Sequence, residues 1–189
     1  MPGAGKTVRA GCVVLAVCLV VGACGGDEGR TVLQPGERRP KGIKVISTAF
    51  EPNRPIPERY SCEGENVPPP LRWEGTPPGT AEVAVVVEDP DAPSGTFVHW
   101  IAVGIEPATH GLESGALPRG ANVLAGSSDN ATYVGPCPPN GSGTHHYFFE
   151  VYALPRLLDL SPAAPPLEKV RAIRREASAG GWLVGTFTR

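Results

Sequence analysis

The segment GPCPPNGSGTHHYFFEVYAL, Gly135–Leu154, joins a stiff loop to a run of aromatic and apolar residues. Three prolines and three glycines precede its tyrosine Tyr147, and such punctuation predicts a turn or loop. The residues from His145 to Leu154 are rich in aromatic and β-branched types, which favour a strand. Two histidines and a tyrosine therefore stand where the predicted loop meets the predicted strand.

Alternation along this strand separates the two neighbouring histidines. His145 and Tyr147 share one face, whereas His146 and Phe148 take the other. A glycine-rich loop can offer backbone amides to an anion, and histidine and tyrosine add polar hydrogens. These residues predict a small anion cup that contains only one of the histidines. The alternative is a rigid hairpin connection whose histidines are exposed to solvent.

A second polar group follows the valine-rich stretch AEVAVVVE, Ala81–Glu88, which is typical of a strand buried on both faces. Asp89 and Asp91 come directly after it, at the strand end, where functional side chains often gather. The next predicted strand, Phe97–Val103, contains His99.

Strict alternation along Phe97–Val103 places His99 on the same face as Ile101 and Val103, with Trp100 on the opposite face. A histidine among apolar residues is either a pocket residue or a hydrogen-bonded residue of the core. Both interpretations of His99 remain open at this point.

The remaining pattern predicts an all-β fold, a two-sheet antiparallel β-sandwich with one or two short helices. Gly 24 and Pro 22 in 189 residues favour many short strands and turns. Further predicted elements are strands at 43–47, 71–73 and 182–187 and a helix at 167–179 that follows two prolines.

The N-terminus has the features of a secretory signal. Lys6 and Arg9 precede the apolar run Cys12–Val21, and the small residues Gly22 and Ala23 stand before Cys24. This pattern resembles the lipobox of bacterial lipoproteins and predicts a signal peptide at 1–23 with lipidation of Cys24. The alternative is a membrane anchor or a buried helix, although the apolar run is short for a membrane span.

Residues 24–42 are polar and rich in glycine and proline, which predicts a flexible tether before a domain at 43–189.

Five cysteines are present, and Cys12, Cys18 and Cys24 belong to the signal or the lipidation site. Cys62 and Cys137 remain in a protein predicted to lie on the extracytoplasmic face of the cell membrane. An oxidising compartment favours a disulfide between them; two buried free thiols are the alternative.

The motifs DPDAPSGTFVHW, Asp89–Trp100, and Gly135–Leu154 resemble the two signatures of the phosphatidylethanolamine-binding protein family. The stretch YSCEGENVPPPLRW, Tyr60–Trp73, is similar to the bacterial branch, whose members are often called Raf-kinase-inhibitor-like proteins. The resemblance covers roughly Ile43 to Arg189. It implies a β-sandwich with a small anion pocket at one end. The pocket residues that it implies are Asp89, Asp91, His99, Gly135, Cys137, Pro138, His145 and Tyr147.

Three classes of function follow. We expect a binding protein for phosphate- or carboxylate-bearing ligands, such as phospholipid headgroups. The alternative is an inhibitor or regulator of a kinase or protease, and the third class is an enzyme.

No G-x-S-x-G or H-E-x-x-H motif is present, so no catalysis is expected. We also expect no cofactor and no metal, although two aspartates and a histidine could hold a divalent cation. A net charge of −2 gives no basic footprint for nucleic acid. The nearby aspartates are expected to favour charged imidazolium and hence binding at mildly acidic pH.

Overall fold

The computed structural model describes Met1, Gly3 and residues 40–189. The chain divides into two compact units, residues 1–30 and 31–189, and the elements below all lie in the second. The predicted signal peptide, Cys24 and nearly all of the predicted tether fall outside the described residues. The strands are β1 (Lys44–Ile46), β2 (Arg54–Pro55), β3 (Leu71–Glu74), β4 (Glu82–Asp89), β5 (Phe97–Ile105), β6 (Gly111–Leu112), β7 (Asn122–Leu124), β8 (Thr144–Leu154) and β9 (Ala179–Thr188). The helices are a 3₁₀ turn, Glu58–Tyr60, and α1, Pro166–Glu176.

The strands form two sheets, as the sequence predicts. A three-stranded sheet has the order β1-β3-β6, and a six-stranded sheet has the order β2-β9-β8-β4-β5-β7. The expectation of strictly antiparallel sheets needs one correction, because β2 pairs with β9 in parallel. This two-residue strand follows a turn at Asn53, whose positive φ of 59° turns the chain onto the edge of the larger sheet.

The helix is shorter than the predicted 167–179. Pro166 occupies its first turn, where a missing amide hydrogen costs nothing. The helix ends because Ala177 is extended and β9 already begins at Ala179. Within the described part of the chain, no helix has the length and apolar character needed to cross a bilayer.

Two apolar clusters hold the layers together. The first lies between the two sheets and includes Trp73, Val85, Trp100 and Phe149. The second lies on the other face of the larger sheet and is covered by α1. Among its members are Val86, Ile101, Tyr152, Val170 and Ile173. The strand β4 contributes side chains to both clusters, which explains its unbroken run of buried residues.

A buried ionic cluster fastens α1 to the larger sheet. The guanidinium of Arg174 donates from Nη2 to Oε2 of Glu150 at 2.7 Å and to Oε2 of Glu88. Its Nε donates to the hydroxyl of Tyr152 at 2.9 Å, and that hydroxyl donates to Glu150 at 2.6 Å. Burial by itself lowers the pKa of Arg174, but the charges of Glu150 and Glu88 outweigh it and the pKa is raised. The arginine is therefore a permanent cation facing two buried carboxylates.

Replacing Arg174 by methionine should destabilise the fold by about 3–5 kcal/mol, because both carboxylates lose the cation that faces them. Urea unfolding followed by circular dichroism measures this change. Arg171→Met is the matched control, since Arg171 lies exposed on the same helix, and it should stay within about 0.5 kcal/mol of the parent. Equal stability of the two variants would show that the buried cluster does not fasten the helix.

Candidate functional site

The two motifs meet because β4 lies between β5 and β8 in the larger sheet. Asp89 ends β4, His99 lies on β5, and His145 and Tyr147 lie at the start of β8. The side chains of Asp89, His99, His145 and Tyr147 form what we call the histidine cluster. All four are buried, with exposed fractions of 5% or less.

A hydrogen bond between Asp89 and His145 lies at the centre of the histidine cluster. Nδ1 of His145 lies 2.7 Å from Oδ2 of Asp89, and both side chains are almost completely buried. The other carboxylate oxygen, Oδ1, accepts the backbone amide of Asp91 at 2.8 Å. Since an ionised carboxylate can only accept, Nδ1 of His145 carries a hydrogen and its Nε2 is left for a further partner.

The position of His99 departs from strict strand alternation. Val87 lies opposite Trp100 while Glu88 lies opposite Val98, so His99 is an extra residue in β5. Such a bulge puts two consecutive residues on one face of the sheet. The prediction that His99 shares a face with Ile101 and Val103 is wrong. Those two residues pack in the second cluster under α1, whereas the His99 ring contacts Tyr147 at a centroid distance of 5.2 Å.

His99 is neutral in its resting state. Its Nδ1 lies 2.8 Å from the carbonyl oxygen of Val134, which can only accept, so Nδ1 donates and Nε2 is the remaining nitrogen. Burial lowers the pKa of His99 below its ordinary value, and this outweighs the opposite effects of the Val134 carbonyl and of Asp89. Asp89 favours the charged form of His99, as expected, but burial outweighs it, so the pKa of this histidine is lowered rather than raised.

Tyr147 contributes a buried hydroxyl. Among the described residues this hydroxyl has no well-aligned hydrogen-bond partner, although the side chain is completely buried and the Cys137 amide and the Asp89 carboxylate lie near it. Burial, and next the negative charge of Asp89, raise the pKa of Tyr147, while the amide of Cys137 has a smaller opposite effect. The hydroxyl therefore keeps its hydrogen at physiological pH and is available as a donor.

The loop before β8 is held by the segment around the 3₁₀ turn. The amide of Gly135 donates to Oδ1 of Asn66 at 2.7 Å, and the amide of Cys62 donates to the carbonyl of Pro136 at 3.1 Å. A side chain at Gly135 would place its Cβ 2.3 Å from the carbonyl oxygen of Tyr60, so only glycine fits there.

The predicted disulfide between Cys62 and Cys137 is present and joins the same two segments. Cys137 is exposed, whereas its neighbour Pro138 is buried. The guanidinium of Arg189 donates to Oε1 of Glu63 at 3.0 Å and also approaches Sγ of Cys137 at 3.5 Å. The disulfide thus adds a covalent link to the hydrogen bonds that position the loop.

The carboxylate of Asp91 lies apart from the histidine cluster. It accepts hydrogen bonds from the amide of His146 at 2.8 Å and from Nδ1 of His146 at 2.7 Å. Both side chains are about 40% exposed. Asp91 therefore contacts the histidine cluster through its backbone amide, which donates to Asp89. Its side chain pairs with His146, which alternation places on the opposite face of β8.

Two polar contacts of the site were not predicted from the sequence. Asn66 accepts the amide of Gly135 although it lies 69 positions earlier in the chain. Its positive φ of 57° is seen in the structure and could not be read from the sequence. The second contact is the 3.0 Å distance between Oγ of Ser142 and Nε2 of His145. The position of Ser142 between two glycines and three residues before His145 is the only local signal.

The histidine cluster combines one buried carboxylate, two imidazoles and a phenolic hydroxyl. Within the described residues, Nε2 of His99 and the hydroxyl of Tyr147 have no well-aligned partner, so the hydroxyl, and Nε2 once it is protonated, can donate to a ligand with acceptor oxygens. Among the residues that the structure describes, no group of three or more histidine, cysteine or acidic side chains is arranged to hold a metal ion.

Comparison with known proteins identifies the family of the chain. The family model described as Phosphatidylethanolamine-binding protein matches residues 46–188. A protein of Mycobacterium tuberculosis named "Putative lipoprotein LppC" is 40% identical over 186 residues, which cover 92% of each chain. A UPF0098 protein of Methanothermobacter thermautotrophicus is 41% identical over 154 residues, 78% of this chain and 99% of the relative.

A solved structure extends the comparison to the fold. The crystal structure of Escherichia coli YbcL, described as a new member of the mammalian PEBP family, matches with a TM-score of 0.73 and 28% identity. The match covers 78% of this chain and 99% of YbcL. The two-sheet architecture and the resemblance carried by the paired motifs are thereby confirmed. The chain belongs to the phosphatidylethanolamine-binding protein family.

Proposed function

We propose that this protein is a lipid-anchored, extracytoplasmic binding protein whose histidine cluster takes a small anionic ligand through phosphate or carboxylate oxygens. The observation that carries the proposal is the buried Tyr147 hydroxyl, which has no well-aligned hydrogen-bond partner among the described residues. A buried polar group without a partner costs about 1–3 kcal/mol, and a ligand oxygen would recover this cost.

The charges around the Tyr147 hydroxyl favour the binding of an anion, although the carboxylate of Asp89 lies nearby. Both oxygens of this carboxylate already accept hydrogen bonds, one from the Asp91 amide and one from His145. Its negative charge is therefore partly compensated before a ligand arrives. The nearby Nε2 of His99 gains a hydrogen on protonation, and it would then offer a charged donor beside the neutral donor of Tyr147.

The proposed location rests on the sequence and on one relative. The lipobox-like pattern before Cys24 supports a lipid anchor, and the 40% identical mycobacterial protein carries the name of a lipoprotein. The disulfide between Cys62 and Cys137 suits an oxidising compartment outside the cytoplasm. Phospholipid headgroups are then among the phosphate esters within reach of the protein.

The adjacent histidines provide a matched pair of variants. His145→Ala should raise the Kd for phosphoethanolamine at least tenfold, because Asp89 then loses the hydrogen bond that partly compensates its charge beside the ligand, and a hydrogen bond to a charged group contributes about 1.5–3 kcal/mol. His146→Ala should change the Kd less than about threefold, because its ring faces Asp91 on the other side of the sheet. Isothermal titration calorimetry measures both, after circular dichroism has shown that each variant is folded. Equal losses in the two variants would contradict the proposed site.

Anion binding should draw a proton onto His99. The pKa of this histidine is lowered in the free protein, so the ring is neutral near pH 7, and an anion beside it favours the imidazolium. The affinity for sulfate, whose charge is constant in this range, should therefore fall as the pH rises from about 5.5 to 8.5, by at most about tenfold per pH unit.

Calorimetry in two buffers of different ionisation enthalpy counts the proton taken up with sulfate. The uptake should approach one proton per bound sulfate near pH 7 and should vanish in His99→Gln. Uptake that persists in this variant would assign the proton to another group. An affinity that does not change across the pH range would contradict the role of His99.

A further inference from the structure

Ser142, His145 and Asp89 form a hydrogen-bonded chain. Oγ of Ser142 lies 3.0 Å from Nε2 of His145, and Nδ1 of the same ring lies 2.7 Å from Oδ2 of Asp89. A hydroxyl, an imidazole and a buried carboxylate in this order are the parts of a nucleophilic triad. The carboxylate is itself oriented by the amide of Asp91.

The hydrogen positions in this chain follow from the chemistry of the groups. With Asp89 ionised, Nδ1 of His145 donates to it, and a neutral ring then has an unprotonated Nε2. That nitrogen can only accept, so it receives the hydroxyl hydrogen of Ser142. The carbonyl of Pro139, 2.8 Å from Oγ, is the competing acceptor for the same hydrogen. In the neutral state of the ring, His145 is thus poised as a general base for Ser142.

The backbone around Ser142 presents the hydroxyl to solvent. Gly141 and Gly143 flank it with φ values of +76° and +92°, which residues with a side chain rarely adopt. Ser142 is exposed, while His145 and Asp89 are buried. An exposed serine backed by a buried base is the arrangement that a nucleophile needs to reach a substrate.

We propose that Ser142 is a nucleophile toward small carboxylic esters, with His145 as the base and Asp89 as the group that orients it. Oγ attacks the carbonyl carbon while Nε2 of His145 takes the hydroxyl proton. The C–O bond to the leaving alcohol then breaks and His145 returns the proton to that alcohol. Water attacks the resulting acyl-serine in the same way and releases the carboxylic acid, so that the enzyme is restored and no other co-reactant is needed.

The expectation of no catalysis rested on two absent motifs. Neither motif covers a serine three positions before its histidine and 53 positions after its aspartate.

Covalent labelling with an alkyl fluorophosphonate tests the proposal on the full chain without knowledge of the natural ester. Intact-mass spectrometry should find one adduct per chain, and peptide mapping should place it on Ser142. Ser142→Ala should lose the adduct. Ser94→Ala is the matched control, since Ser94 is an exposed serine in a neighbouring glycine-containing turn, and it should be labelled like the parent.

The role of the base is tested by the rate of labelling. His145→Gln should label at least about a hundredfold more slowly, which is the lower range for loss of a positioned general base. Hydrolysis of p-nitrophenyl acetate should fall in parallel in Ser142→Ala and His145→Gln. No adduct on the folded parent protein, or labelling of His145→Gln at the parental rate, would overturn the proposal and leave Ser142 as a hydrogen-bond partner that only orients the ring.

Discussion

The hydrogen bond from Nδ1 of His145 to Asp89 is the interaction on which the site depends. It joins the end of β4 to the start of β8 inside a region from which water is almost entirely excluded. Burying a carboxylate is costly unless hydrogen bonds replace its hydration, and the Asp91 amide and His145 provide them. This hydrogen bond sets the tautomer of His145. It thereby determines whether Nε2 accepts or donates a hydrogen bond with Ser142 or with a ligand.

The larger sheet carries two buried polar groups on opposite faces. The histidine cluster lies at the end of β4, and the carboxylate of Glu88, one residue earlier, points to Arg174 beneath the helix. Neighbouring residues of one strand therefore lie in different polar groups: Asp89 belongs to the proposed ligand site and Glu88 attaches α1 to the sheet. The alternation of a strand makes this separation possible within two positions.

Much of this arrangement could be predicted from the sequence, and the failures have physical causes. The choice of His145 over His146 followed from alternation and agrees with the structure, because β8 pairs with β9 without a register shift from Thr144 to Ala153. The same rule failed at His99, where one extra residue in β5 turns the side chain to the other face. Nothing local in the sequence marks that residue. The attachment of Arg174 to Glu88, 86 positions away, likewise depends on tertiary packing.

A crystal structure of the protein with selenate would show whether the histidine cluster binds an anion at Tyr147. Selenate resembles phosphate and sulfate in shape, and the anomalous scattering of selenium identifies it without ambiguity. We expect an anomalous peak within hydrogen-bond distance of the Tyr147 hydroxyl and of Nε2 of His99. Selenate bound only elsewhere on the protein, with water filling the cluster, would contradict it.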